Sequence, residues 1–147
     1  MNKKYVTYNV SKKDINKRWF IIDATDKPLG KVAAKAAYIL RGKHKAIYTP
    51  YMDTGDNVII VNASKAIITG DKFTDKIYYH HSGYVGGMKS ITYDKLVAKK
   101  PTDPMEIAIK GMLPKGPLGR KIFRNLRVYK DDFYKEKSVK AEKVENL

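Results

Sequence analysis

Asp53 and Asp56 stand close together in the run Asp53-Thr54-Gly55-Asp56, and paired carboxylates are what a divalent metal uses to activate water against a phosphodiester. The same spacing more often makes a turn with Asx hydrogen bonds leading into a strand. A Ser-His-Asp set can be drawn from Ser82, His80 and Asp53, but no G-x-S-x-G elbow is present to expose the serine. His80 and His81 are adjacent, and neighbouring side chains on a strand point to opposite faces, so the pair cannot chelate one metal. At most one of them is expected to meet a ligand, the other to pack. The glycines of His80-His81-Ser82-Gly83-Tyr84-Val85-Gly86-Gly87 let backbone approach a phosphate closely.

A stronger signal comes from the cations. No acid lies between Asp26 and Asp53, where Lys27, Lys31, Lys35, Arg41, Lys43 and Lys45 gather with His44 among them. None lies between Glu106 and Asp131 either, against Lys110, Lys115, Arg120, Lys121, Arg124, Arg127 and Lys130. A merely solvated basic face intersperses acids for pairing, which these windows lack. Arginine also suits bidentate phosphate contact. Tyr48 and Tyr51 follow the first window in Lys45-Ala46-Ile47-Tyr48-Thr49-Pro50-Tyr51, the mixture of base-stacking rings and cations found in RNA-facing loops.

The elements that must carry these residues follow from apolar patterning. Met1 to Arg18 is basic with Tyr5 and Tyr8 interleaved and reads as an extended arm. Trp19 to Ala24 and Val58 to Val61 are short continuous apolar runs, as in strands buried on both faces. Between them Leu29, Val32, Ala33, Ala36 and Leu40 recur at helical spacing, with Gly42 placed to end the helix. Strand, helix, strand is a βαβ unit. Ala66-Ile67-Ile68-Thr69 and Lys76 to His80 offer further strands, and Thr92 to Ala98 a short helix. Asp103-Pro104-Met105-Glu106 predicts a helix start with Asp103 as N-cap and Glu106 closing a capping box. After Pro114-Lys115-Gly116-Pro117 a helix is expected to reach about Arg127, with Leu118, Ile122 and Leu126 on one side and Arg120, Arg124 and Arg127 opposite. From Asp131 the chain is polar and reads as a frayed tail. The division is an arm over 1–18, one domain over 19–130 and a tail over 131–147.

Composition bounds the function. The 147 residues suit one domain, and 30 Lys+Arg against 15 Asp+Glu leave a net charge of +15. That excess wants a polyanion. No stretch approaches the roughly 20 apolar residues of a membrane span, and the basic start lacks the apolar core of a signal peptide, so the expected place is the cytoplasm. With no cysteine there is no disulfide, thiolate nucleophile or zinc ribbon. Asn62-Ala63-Ser64 matches a glycosylation acceptor that has no use without export. The carboxyl edge of the parallel strands, Asp23 to Gly30, carries neither G-x-G-x-x-G nor a P-loop, so it has no phosphate cradle for a nucleotide cofactor. The basic loop returns instead to the amino edge.

Three motifs in register resemble one family. They are Leu40-Arg41-Gly42-Lys43-His44-Lys45 through Tyr48-Thr49-Pro50 to Asp53-Thr54-Gly55-Asp56; His81-Ser82-Gly83-Tyr84 with Gly86-Gly87; and Gly111-Met112-Leu113-Pro114-Lys115 to Gly116-Pro117-Leu118-Gly119-Arg120 with Leu126-Arg127-Val128-Tyr129. Together, over about Trp19 to Tyr129, they closely resemble the bacterial form of large-subunit ribosomal protein thirteen. The resemblance implies a three-layer α/β/α domain around a small, mainly parallel sheet of about four strands. It implies early assembly into the large (50S) subunit, 23S ribosomal RNA and neighbouring large-subunit proteins as partners, no cofactor and no catalysis, with translational repression as a secondary role in some members. Three features depart from it. The chain ends Lys130-Asp131-Asp132-Phe133-Tyr134-Lys135 where the family carries His-Pro-His, Lys31 follows Gly30 where Arg is common, and Val85 stands where Pro is frequent.

The expected RNA-binding set is therefore Lys31, Lys35, Arg41, Lys43, His44, Lys45, Tyr48, Tyr51, His80, Tyr84, Lys110, Lys115, Arg120, Lys121, Arg124 and Arg127. No small-molecule substrate, membrane or metal is expected. Two competing readings are a metal-dependent RNA-processing enzyme using Asp53 and Asp56, and a nucleoid-type DNA binder.

Overall fold

The computed structural model describes residues 9–136 and 138–144. Strand β1 (Trp19–Asp23) is followed by helix α1 (Leu29–Arg41) and strand β2 (Asn57–Val61). Next come a short helix α2 (Lys72–Asp75), strands β3 (Ile77–His81) and β4 (Met88–Thr92), and helices α3 (Tyr93–Lys99), α4 (Asp103–Met112) and α5 (Pro117–Phe123). Strands β5 (Leu126–Val128) and β6 (Ala141–Lys143) complete the order. The main sheet has four strands in the order β5-β2-β1-β6, and each neighbouring pair is parallel.

Trp19 pairs with Asn57 and Asp23 with Val61, so β1 and β2 lie in step over their whole length. Alternation then divides their apolar residues between two faces. Ile22, Val58 and Ile60 join Val32, Ala36 and Leu40 of α1 and Met105 and Ile109 of α4 in the larger core. Ile21, Ile59 and Val61 face the other way, under Trp19, Tyr129, Tyr134 and Ala141. Burial on both faces is why these strands read as unbroken apolar runs. The chain is thus α/β with a small parallel sheet, consistent with a three-layer α/β/α domain. Gly42 ends α1 in the left-handed region at φ 81°, its N–H returning to the carbonyls of Ile39 and Tyr38.

Several expectations are corrected. Among the described residues the segment Ala66–Thr69 joins no strand of the sheet; Ile67 makes an isolated parallel bridge with Pro28. The strand expected at Lys76–His80 forms, but as β3 of a separate antiparallel hairpin with β4. At the start of α4 the N-cap is Thr102, with Asp103 already helical, and no side chain closes a capping box. The last helix stops at Phe123: Arg124 is its C-cap, the Asn125 N–H donates to the Ile122 carbonyl, and Leu126–Val128 forms β5, which pairs with β2 at Val58–Ile60. The helical stripe Leu118, Ile122, Leu126 misled because Leu126 does reach the core, but from a strand. The polar tail is not frayed throughout. Ala141–Lys143 adds β6 to the edge of β1, and the Val144 N–H donates to the Ile21 carbonyl at 2.9 Å. Of the arm, Tyr5 and Tyr8 lie outside the described residues; Lys12–Asp14 form a single turn closed by a Ser11–Asp14 capping box, and Val10 is buried.

Candidate nucleic-acid interface

The loop from α1 to β2 is built around two buried carboxylates at the amino edge of the sheet. Gly42 and Gly55 let the loop cross itself: a Cβ on Gly55 would collide with the Leu40 carbonyl, and one on Gly42 would press on the Thr54–Gly55 backbone. That crossing carries Asp56 inward, where it is 0% exposed. Its Oδ1 accepts from the Arg18 N–H at 2.7 Å and from Lys45 Nζ at 2.6 Å, and its Oδ2 accepts from His44 Nε2 at 2.7 Å. Asp53 is also buried and accepts from Lys17 Nζ at 2.6 Å and, more weakly, from the Asn125 amide. A buried carboxylate is tolerable only when its lone pairs are filled in this way. Lys45 reaches further, to the Asn16 carbonyl at 2.9 Å, so the cluster fastens the end of the amino-terminal arm to the domain.

This arrangement settles the chemistry of the acids. Asp53 and Asp56 are engaged by Lys17, Lys45 and His44 together with the Arg18 N–H and the Asn125 amide, and among the described residues no group of three His, Asp or Glu side chains is placed to hold a metal. Ser82 and His80 sit on the exposed β3–β4 hairpin, whereas Asp53 is locked to Lys17. At the carboxyl edge, Asp23 is exposed. Burial pushes its carboxyl up, but the N–H and hydroxyl of Thr25 and the Asn62 amide outweigh that and hold it below the ordinary aspartate value. It is a turn-closing carboxylate.

The cations are distributed unequally. His44 and Lys45, expected on the RNA face, turn inward to Asp56, and the Lys45 side chain is only 12% exposed. Arg127 leaves the helical row because it stands on β5; its guanidinium donates to the carbonyls of Arg124 and Leu126 and lies 3.6 Å from Glu136. Arg41 sits over the Tyr48 ring at 5.8 Å, while Lys31, Lys43 and Tyr51 are exposed and Lys35 half-buried. Both histidines of the hairpin are exposed, so neither packs; His81 Nδ1 accepts from the Gly83 N–H at 3.0 Å. Tyr84 is 80% exposed near the hairpin tip.

Packing of α4 across α1 brings the two acid-free windows together. Met112, at the end of α4, lines a groove with Tyr38, Arg41 and Lys43 from α1 and its exit loop. The next residue, Leu113, lines a larger concavity with Lys110, Lys115, Arg120 and Arg124. Among the described residues, none of these six cations is ion-paired with an acid. Lys121 is exposed on the same short helix. No carboxylate lines either depression. The turn that shapes the larger one depends on glycine: Gly116 has φ 115°, and a Cβ on Gly119 would strike the Pro114 carbonyl.

Comparison with known proteins follows the same residues. The family model described as ribosomal protein L13 matches residues 17–135, which spans both carboxylate clusters and the whole basic surface.

The chain belongs to the ribosomal protein L13 family.

Relatives named large ribosomal subunit protein uL13 support this. One from Borrelia hermsii (strain HS1 / DAH) is 57% identical over 136 residues, 92% of this chain and 91% of that protein. One from Borrelia turicatae (strain 91E135) is 62% identical over 120 residues, covering 82% and 80%. One from Borreliella afzelii (strain PKo) is 54% identical over 140 residues, covering 95% and 92%. The L13 family comprises structural proteins of the ribosome and not enzymes. Among the described residues no helix is long and apolar enough to cross a membrane. For this L13 member, sequence reading missed the structural use of Lys17, His44, Lys45 and Asp56. The available signal was Asp56 two residues ahead of the apolar run that starts at Val58, where a carboxylate at a buried strand start needs a partner.

Proposed function

We propose that this chain is a structural protein of the large (50S) ribosomal subunit that binds 23S ribosomal RNA and joins the particle early in assembly, in the cytoplasm, against neighbouring large-subunit proteins. One observation carries the reading: cations from two distant, acid-free stretches of sequence line two depressions at the end of α4, one at Met112 and one at Leu113, and no acid lines either. Such a surface is unfavourable until phosphates approach it. Arg41, Lys43, Lys110, Lys115, Arg120, Lys121 and Arg124 are its proposed phosphate contacts, with Lys31 and Lys35 further along α1 and Tyr48, Tyr51, His80 and Tyr84 available to bases or neighbouring chains. His44 and Lys45 act instead from within, on Asp56, and Arg127 is held at the surface of β5 by the carbonyls of Arg124 and Leu126 and by Glu136. Binding of a folded RNA is also the chemistry that translational repression requires.

The test is affinity for 23S ribosomal RNA as a function of salt. With roughly 6 to 10 phosphate contacts, affinity falls by about 10³ to 10⁵ between 50 and 200 mM salt. Replacing Arg120 and Arg124 with Ala leaves thermal unfolding unchanged and flattens the logarithmic salt slope by about 0.7 to 0.9 for each lost contact. An unchanged slope removes this surface from the interface. RNA cleavage in Mg²⁺ that disappears in Asp53→Ala would favour the enzyme reading, and failure to sediment with large subunits at low salt would favour a chromosomal role.

A further inference from the structure

The concavity between the end of α4 and α5 is more than a basic patch. It encloses about 540 Å³, within the size range of small-ligand sites. Its lining divides by chemistry. Leu113, Pro114 and Phe123 give apolar walls, and Lys110, Lys115, Arg120 and Arg124 supply four positive charges. Leu113 is buried and Phe123 is partly buried against the main core, so the walls are rigid parts of the domain. Gly116 and Gly119 keep the intervening turn tight without adding side chains.

Phosphate alone explains the cations but not the apolar hollow between them. A duplex backbone presents phosphates on a convex ridge and has nothing flat and apolar to put inside. An unstacked nucleotide has both parts: a base whose faces are apolar, and flanking phosphates a few ångströms away. We infer that this concavity receives one extrahelical nucleotide of the bound RNA, its base against Leu113, Pro114 and Phe123 and its flanking phosphates on the surrounding Lys and Arg side chains. The inference rests on the RNA-binding reading above and adds the kind of RNA feature recognised: a bulge or a splayed loop rather than regular duplex. The lining offers donors from Lys and Arg but no side-chain amide or carboxylate, so base edges rich in acceptors, such as guanine O6 and N7, suit it as well as an uncharged stack does.

The test uses the full chain and three short RNA duplexes that differ at one position: fully paired, carrying a single bulged uridine, and carrying an abasic residue in place of that uridine. All three keep nearly the same phosphates, so salt-dependent binding common to them reports the basic surface alone. The bulged duplex is expected to bind about tenfold tighter than the other two at a fixed salt concentration, the scale of one base–aromatic stacking contact. A 4-thiouridine at the bulge should photocrosslink within residues 110–124, and the preference should shrink severalfold in Phe123→Leu, which keeps an apolar wall. Equal binding of all three overturns the pocket while leaving RNA binding in place. A preference whose crosslink maps to the hairpin of residues 77–92 also overturns it. Binding of none of them overturns the RNA reading itself.

Discussion

Replacing Asp56 with Ala tests whether the buried carboxylate holds the basic loop and the arm together. Asp56 is 0% exposed and is met by three donors, the Arg18 N–H, Lys45 Nζ and His44 Nε2, at 2.6 to 2.7 Å. Truncation leaves a lysine that is 12% exposed without its counter-charge, together with a backbone N–H lacking an acceptor. Breaking a buried pair by removing one partner costs about 3–5 kcal/mol. For a domain near this size each kcal/mol lowers Tm by roughly 2–4 °C, so Asp56→Ala should melt about 6–20 °C lower. The half-exposed Arg18–Glu142 pair, at 3.5 Å, offers the contrast: Glu142→Ala should cost less than about 1 kcal/mol. Urea unfolding of Asp56→Ala, Lys45→Met and the double variant closes the cycle. The double variant should be more stable than Asp56→Ala alone, because no charge is stranded. A loss under about 1 kcal/mol in Asp56→Ala, or a double variant no better than the single, would refute the assigned role.

Further expectations concern other parts of the fold. Gly119→Ala should destabilise the protein by about 1–3 kcal/mol in chemical denaturation, because the new methyl group meets the Pro114 carbonyl; wild-type stability would show that this turn is free to open. Ending the chain at Lys140 removes β6 and the Val144–Ile21 hydrogen bond, and should cost about 1–3 kcal/mol at roughly 1 per net backbone bond, with faster amide exchange along β1 as the local readout. Glu106 is half-buried, and its carboxyl is raised above 4.5 by burial and then by neighbouring Asp103. Since the folded state holds that proton more tightly than the unfolded state, stability should decline as pH rises from about 4.5 through the folded value. Glu106→Gln should therefore gain stability at neutral pH but not at pH 4, and an equal effect at both would contradict the assignment.

The sequence by itself carried the fold class, because burial on both faces makes β1 and β2 continuous apolar runs and because α1 repeats apolar residues at a period that only a helix can bury together. It also carried the family, through motifs whose glycines are fixed by backbone collisions at Gly55 and Gly119. Local pattern failed where a short segment's structure depends on what lies beside it. Leu126 fits a helical stripe as well as a strand, and only the open edge of β2 decides. Ala141–Lys143 is too short and too polar to announce a strand, yet β1 had an unpaired edge to offer. The tertiary structure alone separated the cations. Lys45 and Arg41 look alike in sequence, but the crossing of the loop over Gly42 turns Lys45 onto Asp56 and leaves Arg41 outside. Met112 and Leu113 gather charges from two separate windows because α4 packs across α1. Residue type fixed which groups carry charge; long-range packing decided which of those charges remain free for a partner.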